Sequence, residues 1–138
     1  MTVPSLRPGD NRRIDVNVAG PAALVVAKVH KISDRVAEVE EGRKDRLVDK
    51  DAHDIYRLLT AVPMDDVVAG FERLLKSDVC RSQTETALHE LAVLAAEPSS
   101  TLCVMAGRAE ALAGDPEGVA ARTWGLAQEL LERLPRAT

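Results

Sequence analysis

The sequence predicts a mainly α chain: an antiparallel bundle of about six helices preceded by one short β-strand. Three observations point there. Apolar residues make up 46% of the chain, yet only Tyr56, Phe71 and Trp124 are aromatic, so the core must be built from Leu, Val and Ala. Strong helix formers dominate, and β-branched residues cluster only near Ile14 to Val18 and in the first helix. A third observation is that apolar residues recur at helical spacing in six segments separated by Gly, Pro or capping residues, with short connections. At 138 residues, one domain with a real hydrophobic core is expected.

Residues 1–11 contain two prolines, a Pro-Gly pair and little apolar content, the pattern of a flexible lead-in. Residues 12–19 form the strand, since Ile14, Val16 and Val18 alternate with Arg13, Asp15 and Asn17. A lone strand cannot satisfy its own backbone, so it must pair with another copy, with the lead-in, or with a sheet outside this chain. Residues 20–135 are the helical domain. Gly20-Pro21 starts its first helix, whose apolar stripe is Val25, Val29, Ile32, Val36 and Val39, and Gly42 stops it. Asp49 caps a second helix with Ile55, Leu58, Leu59 and Val62 inward. A third runs from about Asp65, with Val67, Val68, Phe71, Leu74 and Leu75 inward and Gly70 tolerated at some cost.

Ser82 and Glu85 have capping-box spacing ahead of Leu88, Leu91, Ala92 and Ala95 in a fourth helix. Ser99 or Ser100 caps a fifth, with Leu102, Met105, Ala106, Ala109 and Leu112 on one face up to Gly114. Asp115-Pro116-Glu117 opens a sixth through Ala120, Trp124, Ala127, Leu131 and Leu134 to Pro135.

Composition excludes several functions. A net charge of −4 with three aromatics argues against a protein that coats nucleic acid. The local exception, Arg43, Lys44, Arg46 and Lys50, reads as a solvated charged loop. Cys80 and Cys103 lack metal-ligand spacing and fit buried thiols in a reducing compartment. No basic-then-apolar leader opens the chain and its apolar runs are too short to span a bilayer, so a cytoplasmic location without membrane partners is expected. His30, His53 and His89 show no zinc spacing, Ser33 and Ser82 have no visible base, and a helix-turn-helix over residues 82–113 lacks a basic recognition helix.

The charges near the core are more informative. Lys28 sits about 60° from the centre of the first helix's apolar stripe, while His30 and Lys31 turn away from it. A lysine there needs a partner, because leaving it unpaired costs several kcal/mol in desolvation. Asp51 and Asp54, four residues before Ile55 and Leu58, lean toward the apolar face of the next helix and are the nearest carboxylates in sequence. The expectation is that Lys28, Asp51 and Asp54 meet. Snorkelling of the lysine to water and a purely structural ion pair are the bland alternatives.

The stretch GPAALVVAKVHKISDRV, then a basic loop, then DKDAHDIYRLL, resembles the segment following the catalytic core of AbiEii-type nucleotidyltransferases, the abortive-infection toxins of type IV toxin–antitoxin systems. The matching residues are the Lys28 helix and Lys50, Asp51 and Asp54, followed by Ile55, Leu58 and Leu59, over roughly residues 14–59. The resemblance implies a small mixed sheet with metal-binding carboxylates, followed by a helical domain. It implies Lys28 as a nucleotide- or phosphate-binding residue, Asp51 and Asp54 as supporting carboxylates, and an antitoxin as a possible partner. The family's Gly-Ser pair followed by Asp-x-Asp, which would hold divalent metal (Mg) and a nucleoside triphosphate, has no counterpart here. Asp15, a single acid between apolar strand residues, resembles the family's third carboxylate and is a weak metal-ligand candidate beside the reading of an acid on a wet strand face. The chain thus looks like the C-terminal portion of such a protein, without activity alone. The alternative is a non-catalytic helical module that dimerises or binds a partner, which the orphan strand and the small residues of the fifth helix would suit.

Overall fold

The computed structural model describes residues 2–4, 9, 13–15, 20–42 and 49–135, without the side chains of 2–4, 13–15 and 113. Among these, the chain is mainly helical: α1 (Pro21–Glu40), α2 (Asp49–Ala61), α3 (Met64–Lys76), α4 (Arg81–Leu94), α5 (Thr101–Ala109) and α6 (Pro116–Arg133), with a 3₁₀ turn at Ala111–Ala113. Ahead of them the backbone of β1 (Thr2–Pro4) runs antiparallel to β2 (Arg13–Asp15), Val3 opposite Ile14. The remainder of the 12–19 strand expectation, and the basic residues Arg43, Lys44 and Arg46, fall outside the described residues.

One apolar core joins all six helices. Helix α1 supplies Val25, Val29 and Ile32 and packs on α2, α3 and α4, while α2 lies between α1 on one side and α5 and α6 on the other. Two glycines set how closely the helices approach. A Cβ at Gly70 of α3 would come within 2.9 Å of Ala22 Cβ on α1, so the cost of a mid-helix glycine is offset by a tight α1–α3 crossing. A Cβ at Gly107 would run into the Pro116 carbonyl, so α5 meets the start of α6 through bare backbone.

Several local expectations are corrected. Asp49 is already helical and its carboxylate faces Arg108. No side chain caps α4, which begins one residue before Ser82, with Cys80 at the N-cap. Ser100 does occupy the N-cap of α5, but its hydroxyl accepts from the Glu97 amide in the preceding turn. Helix α5 stops at Ala109, leaving Ala109 exposed and Leu112 wholly exposed in the following turn, where Gly114 takes a left-handed φ of 104°. On α6 the buried face is Val119, Ala120, Thr123, Ala127 and Leu130, with Leu134 buried just past the helix end; Trp124 lies at the edge of that face, its indole donating to the Ala96 carbonyl. Thr123 can take the inward position because its hydroxyl donates to Val119 O at 2.7 Å, leaving no unsatisfied group. Asp115 caps α6 through the Gly118 amide at 3.0 Å.

Candidate functional site

The centre of the site is α2, whose three longitudinal faces do different work. Ala52, Ile55 and Leu59 fill the core. On one flank Asp51 and Asp54, three residues apart and therefore neighbours on the helix, face α1. On the other flank Asp49, His53 and Tyr56 face α5 and α6.

On the α1 flank the structure brings Lys28, Asp51 and Asp54 together. The Lys28 ammonium donates to Asp51 Oδ1 and to Asp54 Oδ2, both at 2.9 Å. Asp51 is almost fully covered, its side chain 6% exposed, while those of Lys28 and Asp54 are about a quarter exposed, at 26% and 28%. Lys31 does not turn away as its position on the helix suggests: it reaches back to Asp51 at 3.1 Å while staying half exposed. A long flexible stem lets an ammonium leave the direction of its own Cβ. Two cations therefore share two carboxylates.

Charge and burial pull in opposite directions at Asp51. Burial alone would push its carboxyl up, but the hydrogen bonds from Lys28 and Lys31 outweigh it and hold the group below the ordinary carboxylate value. Lys28 is held above the ordinary lysine value by its bonds to Asp54 and Asp51, against a smaller desolvation effect. Both groups are thus fixed in their charged forms. The Lys28 end of this cluster opens into a shallow cleft of about 370 Å³ between α1 and α2, floored by Leu24, Leu58 and Ala61. Arg57 stands at the same opening, exposed and with no ion pair among the described residues. Sequence reading missed it, since one exposed arginine on a polar face carries no signal.

The second flank is also polar. Arg108 of α5 makes a two-armed contact with Asp49, at 2.8 and 3.2 Å, which raises the already high guanidinium pKa. His53 Nε2 meets Glu110 at 2.5 Å, and Arg122 of α6 donates to the Tyr56 hydroxyl at 3.4 Å. His30, on α1, lies 3.0 Å from the Gln83 carbonyl and 2.9 Å from Glu90, tying α1 to α4. Cys103 is fully buried, which pushes its thiol up to about 11, and Cys80 is partly covered; neither forms a disulfide.

The metal implied by the resemblance does not fit the residues described. Asp51 and Asp54 face ammonium groups at hydrogen-bond distance, so a divalent cation would have to displace Lys28. No group of three or more His, Cys, Asp or Glu side chains converges as a metal site among the described residues, and the side chain of Asp15 lies outside them. No helix among the described residues is long and apolar enough to cross a membrane. A scan against protein-family models finds no match, and comparisons with curated proteins and with solved structures find none either.

Proposed function

We propose that this chain is the helical domain of a nucleotidyltransferase-like protein, an antiparallel bundle preceded by a strand at residues 12–19, in which Lys28 is the phosphate-facing cation and Asp51 and Asp54 hold it in place. The observation that supports the reading is the Lys28 cluster at the mouth of the α1–α2 cleft, with Arg57, which has no ion pair among the described residues, beside it. A triphosphate is polyanionic, and an arginine fork next to a lysine point charge suits its oxygens. Lys28 would bind it only by sharing its protons with the two aspartates, so Arg57 would make the first contact and Lys28 the inner one.

In this reading the chain alone transfers no nucleotide, because the carboxylates needed to clamp metal would come from a neighbouring sheet. Nucleoside triphosphate binding by calorimetry tests it. Weak binding that is lost in Arg57→Ala and in Lys28→Met, with the helical circular dichroism retained, is the expected result. Unchanged binding in both variants, or none in the parent at millimolar nucleotide, counts against the reading. An RNA-labelling assay adds a second check: label transferred by this chain alone would contradict it.

A second reading, a non-catalytic helical module that docks a partner, is favoured by a different observation. An open groove of about 790 Å³ runs between α4 and α6, beside the end of α3. A partner such as an antitoxin, or a second copy of the chain, would bind there. Leu131→Glu, in the groove wall, should then abolish co-purification of such a partner without loss of helix content.

A further inference from the structure

We infer that the α4–α6 groove receives an amphipathic helix whose rim is basic; this rests on the docking reading above and names the chemistry of its partner. The groove has an apolar bed in which Leu75, Leu88 and Leu131 are half-buried and Leu134 is buried. Glu85, Leu88 and Ala92 follow one another at three and four residues on α4, and Gln128, Leu131 and Glu132 at i, i+3 and i+4 on α6, so each wall presents a ridge with helical period. A valley between two such ridges matches the side-chain row of a third helix.

The charge of the rim selects the occupant. Glu85 on α4 and Glu132 on α6 stand on opposite walls, and neither has a hydrogen-bond or ion-pair partner among the described residues. The one arginine in the lining, Arg81, is already engaged: its Nε donates to the Leu75 carbonyl at 2.9 Å and Asp78 lies 3.5 Å from its Nη2. Gln128 is likewise committed to the Ala95 carbonyl at 2.9 Å. The groups left to greet a ligand are two carboxylates and the exposed His89. A helix bearing Leu or Ile in its seam and Lys or Arg on both shoulders satisfies the bed and both walls. An acidic or neutral helix satisfies only the bed. The chain's own net charge of −4 places a second copy behind a basic partner.

Three synthetic amphipathic helices of roughly 18 residues, about five turns, share one leucine seam and differ only in carrying lysine, glutamine or glutamate on the shoulders. Fluorescence anisotropy against the full chain should show binding of the lysine peptide alone, weakening with salt. The double variant Glu85→Lys with Glu132→Lys should bind it about tenfold or more weakly. Glu117→Lys, at the far end of α6, should bind as the parent does and excludes a general charge effect. Equal binding of the glutamine or glutamate peptide overturns the basic partner while leaving the docking groove in place. Binding of none of the three, or binding unchanged by Leu131→Glu, overturns both. A dimer seen by light scattering and lost in Leu131→Glu assigns the groove to a second copy and also overturns the proposal.

Discussion

The two flanks of α2 carry similar numbers of charged contacts but hold the molecule in different ways. Toward α1, the partners of Lys28 include an aspartate whose side chain is only 6% exposed. Toward α5 and α6, Arg108 is 53% and Asp49 33% exposed, and Arg122 is more exposed still. Water screens these arginine contacts, and exposed pairs of this kind contribute at most about 1 kcal/mol, while His53 and Glu110 are covered about as well as Lys28 and Asp54. The first set cannot be dismantled one residue at a time, because removing the cation strands a buried carboxylate. A polar contact is thus worth what it would cost to leave half of it behind.

The comparison breaks most visibly at Lys28. Removing one partner of a fully buried pair costs about 3–5 kcal/mol; with a quarter of Lys28 exposed and Lys31 still on Asp51, we expect Lys28→Met to lose about 2–3 kcal/mol in urea unfolding. Gly107→Ala should come next. Its new methyl meets the Pro116 carbonyl, and forcing the α5–α6 contact apart should cost about 1–3 kcal/mol, lowering the thermal midpoint. Arg108→Ala is expected to cost no more than about 0.5 kcal/mol by the same urea measurement.

The pH dependence sharpens the contrast without any mutation. Asp51 has a depressed carboxyl pKa in the folded state, so its contribution is fully present above the ordinary value of about 4 and disappears as pH falls through the lower folded value. Lys28 has a raised pKa, so its contribution is full below about 10.4 and is lost as pH rises through the higher folded value. Stability measured from pH 2 to pH 11 should therefore begin to lose this contribution at both ends. In Lys28→Met the alkaline loss from this residue should vanish and the acid loss should shrink.

How much of this was legible follows from the same contrast. Lys28 sits at the edge of an apolar stripe, and Asp51 and Asp54 repeat at the spacing of one helix face, so the α1 flank is legible in the sequence itself. His53, Glu110, Arg108 and Arg122 interrupt no stripe. Their partners lie 57 to 66 residues away, and only the packing of α5 and α6 against α2 brings them together. The six helices were legible from apolar period and from Gly and Pro punctuation. Their exact faces were less so. Trp124 looked like core because it is apolar, whereas Thr123 could be buried once its hydroxyl bonded Val119. The groove between α4 and α6 left no trace in periodicity either, since Leu88 and Leu131 look like core residues whether or not a neighbour covers them.

The central claim is that the Lys28 ammonium and the buried Asp51 carboxylate depend on each other. A double-mutant cycle of Lys28→Met and Asp51→Ala, followed by urea unfolding at pH 7, measures that dependence directly. The two losses should fail to add, with a coupling of about 1–2 kcal/mol, because once one partner is gone the other has little left to lose. Losses that add within about 0.3–0.5 kcal/mol would show that the two side chains act independently and would contradict this account of how α1 is held to α2.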